Sequence, residues 1–392
     1  MVTARRAAGF TLVELLVAAA VTLAALGLAV LLLLPSAAAF HALPEAVDAQ
    51  QRLRVAVQTL ADSIRGAGAS PVLESATRGA PAWPAVLPCR LAGGPLAAVP
   101  GGCAGSEAIT TLTVALGAPQ AALAEALTDP AGPLRLAPLS ACALSAPPCR
   151  VRAGSQVLVE DGTGAWDILT VSAVSADGAL VEHAGSSLSR PYKAGATVAE
   201  VEAAAYSLRV EAATNVPVLR RATGPSSDLP VVDHVAALRL EYFGVAGAPL
   251  VLDDADANLR RTTYGPLPPQ AGLDDPLDAW AAGENCLFSR AGGEPVARVA
   301  SLPAERLGLA RLPPALFADG PWCPDAGAPN RYDADLLRVR LVRVVLRIEA
   351  QSSSVRGLSS QLFSRPGTSR ESARLVPDLE AHVDVAIRNG GR

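Results

Sequence analysis

From Phe10 to Leu34 the chain is apolar except at Thr11, Glu14 and Thr22, and no other feature restricts its folding as strongly. Drawn as a helix, these roughly 25 residues reach about 37 Å, enough to cross a bilayer. Arg5 and Arg6 precede the run, so its N-terminal side stays cytoplasmic. A cleavable secretory signal has an apolar core of only ~7–15 residues before a small-residue cleavage site. Ser36-Ala37-Ala38-Ala39 supplies small residues, but the run is too long for that reading. A plain signal anchor accounts for the length. Neither accounts for Glu14, because a carboxylate placed in hydrocarbon is costly and marks a function.

The order Gly9, then Phe10-Thr11-Leu12-Val13-Glu14, then an apolar helix behind a short basic leader resembles the class III signal of type IV prepilins and related pseudopilins. The resemblance implies that residues 1–9 are a leader, cut between Gly9 and Phe10 by a prepilin peptidase, and that the new amine of Phe10 is N-methylated. It implies that Glu14 pairs with the N-terminal amine of a neighbouring subunit, a buried pair that sets axial register more than it adds stability. It also implies a single-pass inner-membrane protein with a periplasmic head, later extracellular at the pilus tip. Where major pilins of this family often carry a proline, this chain has Leu31; its first proline is Pro35, with Gly27 earlier. Any local opening of the helix is therefore expected at Gly27 or Pro35.

Composition narrows the remaining classes. Half the residues are apolar, only 18% are charged and the net charge is −4, so long-range electrostatic steering is not expected. Lys193 is the only lysine; the arginine bias reads as GC-rich coding, and no arginine–aromatic stripe points to nucleic acid as a partner. Six cysteines without a CxxC and four scattered histidines argue against a metal cluster and for disulfides in an oxidising compartment. Proximity favours Cys89 with Cys103, Cys142 with Cys149 and Cys286 with Cys323, though other pairings stay open. There is no GxSxG, HExxH, P-loop or dinucleotide fingerprint, so the chain reads as a non-enzyme without a cofactor. Asp233-His234-Val235 reads as a polar turn or strand entry. Asp254, Asp256 and Asn258 alternate as at the start of a calcium loop, but Leu259 stands where glycine is needed and Gly265 where a carboxylate is. A solvated acidic loop is the reading, with Ca²⁺ as its rival and no metal expected.

Along the chain, residues 10–34 form the membrane half of an N-terminal helix and residues 35–68 its periplasmic half. Val47, Leu53, Val57, Leu60 and Ile64 make the stripe that meets the head. Gly66, Gly68 and Pro71 end the helix. Residues 69–392 read as a β-rich head. Residues 71–105 read as loop tied by the first cysteine pair, and a proline-rich insertion surrounds Cys142 and Cys149. Strands are expected at 108–115, 156–160, 168–174, 179–182, 199–210 and 236–242, with Ser175 to Gly178 turning a hairpin. A strand at 216–220 is expected only at a sheet edge, because Pro217 lacks an amide. From Val339 to Ile348 the apolar parity changes between Leu341 and Val342, which predicts a strand with a bulge there, favoured by its valines and isoleucine over the rival reading of a helix. Ala381, Val383, Val385 and Ile387 mark a C-terminal strand. The irregular block 244–330 reads as an exposed contact surface or subdomain, with Trp280 and Trp322 as contact candidates.

The fold class is thus α+β and pilin-like: a long N-terminal transmembrane and spine helix packed on a mainly antiparallel β-sheet head with large loop insertions. Val231 to Phe243 (VVDHVAALRLEYF) and Val376 to Asn389 (VPDLEAHVDVAIRN) look similar to minor pilins of the PilW class and, more distantly, the J-type minor pseudopilin of type II secretion. This resemblance implies a subunit of the tip complex that primes pilus assembly. Its partners would be other minor pilins, the major pilin and a large tip adhesin. A J-like pseudopilin and a membrane-anchored adhesin or binding module are the rival readings.

Overall fold

The computed structural model describes residues 11–68, 84–88, 90–91, 97–98, 107–114, 117–139, 143–146, 149–160, 166–183, 188, 191–223, 227–248, 286–323, 332–370 and 374–387. Two compact units emerge: Met1–Arg52 with Ile348–Leu379, and Leu53–Arg347 with Glu380–Arg392.

A single helix, Leu12–Gly66, runs through both stretches of the expected spine without a break at Pro35. Its N-terminal part, Leu12–Leu31, is apolar on every side and fully exposed. Beyond Arg52 it becomes amphipathic, and Ala56, Leu60, Ala61 and Ile64 are buried. The expected stripe is only partly right. Val47 is exposed, and the inward positions are the alanines Ala49 and, about two turns farther on, Ala56. Small side chains let the helix axis approach its support, so alanine takes places that a hydrophobicity reading assigned to valine. The helix is fastened at its C-terminal end by polar contacts: Ser63 Oγ lies 2.7 Å from Thr111 Oγ1, and the Gly68 amide donates to the Leu112 carbonyl at 2.8 Å.

The second unit holds a five-stranded antiparallel sheet in the order Val86–Pro88, Ala108–Thr113, Glu202–Glu211, Val216–Thr223, Asp228–Asp233. Two expectations are corrected here. Val86–Pro88 is a buried strand inside what read as loop. The strand carrying Pro217 is interior, with a neighbour on each side. Proline is tolerated because the ladder to Asp228–Asp233 begins at Val218, one residue past it.

Ala108–Thr113 and Glu202–Glu211 pair directly, Thr113 opposite Glu202. The described strands between them are spliced into that pairing and form a closed six-stranded barrel: Gln120–Leu123, Leu134–Pro138, Gln156–Glu160, Trp166–Val174, Leu180–His183 and Thr197–Glu200. The expected single strand at 199–210 is therefore two strands in different sheets, separated by Val201. The barrel has its own core, from Ala121 and Leu136 to Val171 and Val198. Within that core the Tyr192 hydroxyl donates to Asp167 Oδ2 at 2.9 Å, which satisfies two buried polar groups at once. The hairpin at Ser175 to Gly178 closes with Gly178 donating to the Ser175 carbonyl. Its positive φ of 78° suits glycine.

A third sheet orders Ala310–Leu312, Val235–Gly244, Val339–Ile348 and Leu379–Ala386. His234, buried and at φ 55°, is the one residue between Asp228–Asp233 of the first sheet and Val235–Gly244 of this one. The polar pair read as a strand entry is the corner at which the chain changes sheets. Leu238, Leu240 and Tyr242 are buried as their alternation predicts. In Val339–Ile348 the parity change falls where Leu341 and Val342 are both buried, and Val344, Val345 and Leu346 follow as a buried run. A strand between two neighbours and covered on both faces has no reason to alternate.

Candidate functional site: the N-terminal segment and a buried acidic corner

Thr11 and Glu14 form a reciprocal pair at the helix start. The Thr11 amide and hydroxyl donate to Glu14 Oε2 at 2.9 and 3.0 Å, and the Glu14 amide donates to Thr11 Oγ1 at 3.3 Å. This is a capping box, in which each side chain satisfies a backbone N–H that the first turn leaves without a partner. Its signature, Thr-x-x-Glu before an apolar run, is legible in the sequence. The glutamate is thus held within its own chain. Both donations land on Oε2, and Oε1 receives none among the described residues. Farther along, the Thr22 hydroxyl donates to the Ala18 carbonyl at 2.7 Å, so the other polar residue of the run is also satisfied locally.

Gly9 and Phe10, the expected cleavage and methylation positions, lie outside the described residues. Glu14 stands two residues inside the helix start. Among the described residues, one helix is long and apolar enough to cross a membrane, over Leu12–Leu31.

Residues 4–30 match a known signal. The family model is described as the prokaryotic N-terminal methylation motif. No curated protein and no solved structure matches the chain. The motif and the apolar helix together make this a membrane-anchored structural protein with a pilin-type signal, and the motif implies processing by a prepilin peptidase.

A second constellation joins the end of the irregular block to the residues that follow it, built by Pro314–Phe317, Trp322–Cys323, Tyr332–Asp333 and the 3-10 turn Ala334–Arg338. Asp333 caps that turn: its Oδ1 accepts from the Asp335 amide at 2.9 Å and its Oδ2 from the Gly320 amide at 2.7 Å. Arg338 is fully buried. It donates to the carbonyls of Val245, Ala300 and Ala246 at 2.9, 3.0 and 2.6 Å and to Asp335 Oδ1 at 2.5 Å. Gly244 is required beside it, since a Cβ there would strike the Arg338 carbonyl. Asp319, Asp333 and Asp335 bring one carboxylate oxygen each to within 4.8 Å of one another. Burial pushes the Asp333 carboxyl up to about 7, against the two backbone amides that lower it. Burial also raises Asp335, against the opposing pull of Arg338. The corner therefore retains a proton where ordinary aspartates would not, and it does the work of a tertiary clamp.

The other expected site residues are dispersed. Cys149 and Cys286 are disulfide-bonded, and no described cysteine is free. Their partners, with Cys89, Cys103, Cys142 and the side chain of Cys323, lie outside the described residues. Trp280 and the calcium-loop candidates Asp254, Asp256 and Asn258 do too. Trp322 is half-buried and pairs across its short strand with Asp333, next to the acidic corner. The buried tyrosine Tyr242 meets Phe317 edge to face at 5.5 Å. Burial pushes its phenol strongly upward, and its hydroxyl has no partner among the described residues.

Proposed function

We propose that this protein is a minor type IV pilin, a structural subunit of the tip or priming complex that initiates pilus assembly. The observation that carries the reading is the methylation motif over residues 4–30, joined to a helix that continues past the apolar span into an amphipathic seat for a large head. That head holds three multi-stranded sheets, one of them closed into a barrel spliced into another. It is more elaborate than a repeating filament subunit requires, which favours a low-copy role.

In this reading the peptidase cuts between Gly9 and Phe10, the Phe10 amine is methylated, and Glu14 meets the amine of a neighbouring subunit through the oxygen its own threonine leaves open. The capping box holds the carboxylate in the membrane before assembly, and the ion pair sets the axial register afterwards. Pre-association with other minor pilins lowers the entropic cost of bringing the first subunits together. The major pilin and a tip adhesin complete the set of partners.

Mass spectrometry of the mature chain, with piliation counted in a deletion strain, tests the reading. Methyl-Phe10 as the first residue and loss of surface pili are expected. Retention of Met1 in a host with active prepilin processing would remove the pilin assignment, and near-normal piliation would remove the priming role.

A further inference from the structure

Leu307 sits where a leucine is least expected. The turn from Glu305 to Leu309 is closed by the Arg306 amide donating to the Leu309 carbonyl at 3.1 Å and the Leu309 amide donating back at 2.7 Å. Its two central residues, Leu307 and Gly308, both have positive φ, 52° and 75°. Such a tight hairpin turn favours Asn-Gly, because asparagine enters the left-handed region at little cost whereas a leucine Cβ crowds the following carbonyl. Burial does not offset the strain: Leu307 is 79% exposed, more than any other large apolar side chain among the described residues. A residue held in an unfavourable conformation and facing water persists where the surroundings hold it there and where it has a use.

The turn is braced from below. Arg306 reaches Asp384 Oδ2 at 2.8 Å, Asp384 Oδ1 accepts from Arg343 Nε at 2.8 Å, and Glu241 lies 3.6 Å from Arg343 and 3.3 Å from Arg311. This chain of charges links the turn to all four strands of the third sheet, so the leucine is presented from a fixed base.

From this geometry we infer that Leu307 is a contact anchor that enters an apolar socket on a neighbouring protein subunit, an inference that rests on the assembly role proposed above. A convex, rigid knob one side chain wide fits a socket with a polar rim. A lipid surface fits poorly, because Glu305 and Arg306 flank the leucine, are exposed, and would have to follow it out of water. A low-copy subunit has unlike subunits as neighbours, so the socket belongs to a different chain from this one.

The test uses the full-length protein expressed in its own host. Leu307→Asn relieves the strain and is expected to raise the Tm of the purified protein by about 2 °C, while reducing surface piliation about tenfold or more. A photo-crosslinking residue at position 307 is expected to capture a different pilus subunit. Three results would each overturn the inference: a Leu307→Asn protein that assembles normally, a lowered Tm, or crosslinks only to lipid or to a second copy of this chain. Should the deletion strain pilate normally while position 307 still captures another subunit, the priming role fails and the contact stands.

Discussion

Two carboxylates in this protein are held by different means, Glu14 on an exposed helix and Asp335 in a buried corner. Glu14, at the head of the apolar helix, is satisfied by Thr11, three residues before it. Asp335, in the corner of the third sheet, is satisfied by Arg338, and that arginine in turn gathers carbonyls from Val245, Ala246 and Ala300. The first arrangement is local and survives wherever the helix forms. In the second the ion pair also spans only three residues, but its burial and the carbonyls around its arginine exist only once segments far apart in the chain have met. A charge-bearing residue can thus be housed by its neighbours in sequence or by the finished fold, and the consequences of removing it differ accordingly.

The largest effect should come from breaking the tertiary clamp. Arg338→Met leaves Asp335 and three buried carbonyls without their donor and should cost about 3–5 kcal/mol, read by chemical denaturation in detergent. If the loss is below about 1 kcal/mol, the corner is not holding those segments together.

The same corner predicts a pH dependence with a definite sign. The folded Asp333 carboxyl titrates near 7 against an ordinary value of 3.8, so the native state binds its proton more tightly than the unfolded chain. Its contribution favours folding below about pH 4, is lost progressively as pH rises toward 7, and is flat above. Unfolding curves across that range should slope downward with pH, and Asp333→Asn should reduce the slope. An unchanged slope would assign the proton elsewhere.

On the local side the effect is smaller and confined. Thr11→Ala removes the helix cap and should cost about 1 kcal/mol at the first turn, seen as faster amide exchange near Leu12 to Leu15. Head unfolding should not move. If it does, the two arrangements are coupled and the contrast fails.

Least of all should change with Tyr242→Phe. The buried hydroxyl lacks a partner among the described residues, so its removal should be neutral or stabilise by up to about 1 kcal/mol in thermal unfolding. A clear loss would reveal a partner for the hydroxyl.

Reading the sequence recovered what depends on short-range pattern. The apolar run, the amphipathic continuation of the helix, the Ser175 to Gly178 hairpin and the alternating strand ending at Gly244 all stand close to where periodicity and turn chemistry put them. The barrel was missed because several of its strands are only four or five residues long and separated by proline-rich turns. Its closure is a property of the pairing of Gln156–Glu160 with Thr197–Glu200, which no local window contains. The Arg338 clamp is hidden for a related reason: its arginine sits in a valine-rich and arginine-rich stretch, and only the approach of Val245 and Ala300 buries it completely while Arg340, Arg343 and Arg347 stay partly exposed.

By itself the sequence determined that a helix capped by Thr11 and Glu14 begins the described structure, that its first half is overwhelmingly apolar, and that a methylation motif over residues 4–30 runs into it. Each follows from interactions spanning four residues or fewer, or from the free energy of moving a side chain between water and hydrocarbon. Only the tertiary structure decided which strand is interior, that a barrel is spliced into a hairpin, and which of many arginines is buried. Those outcomes depend on contacts between distant segments, where the entropy of closing the chain must be offset before any one contact is favourable.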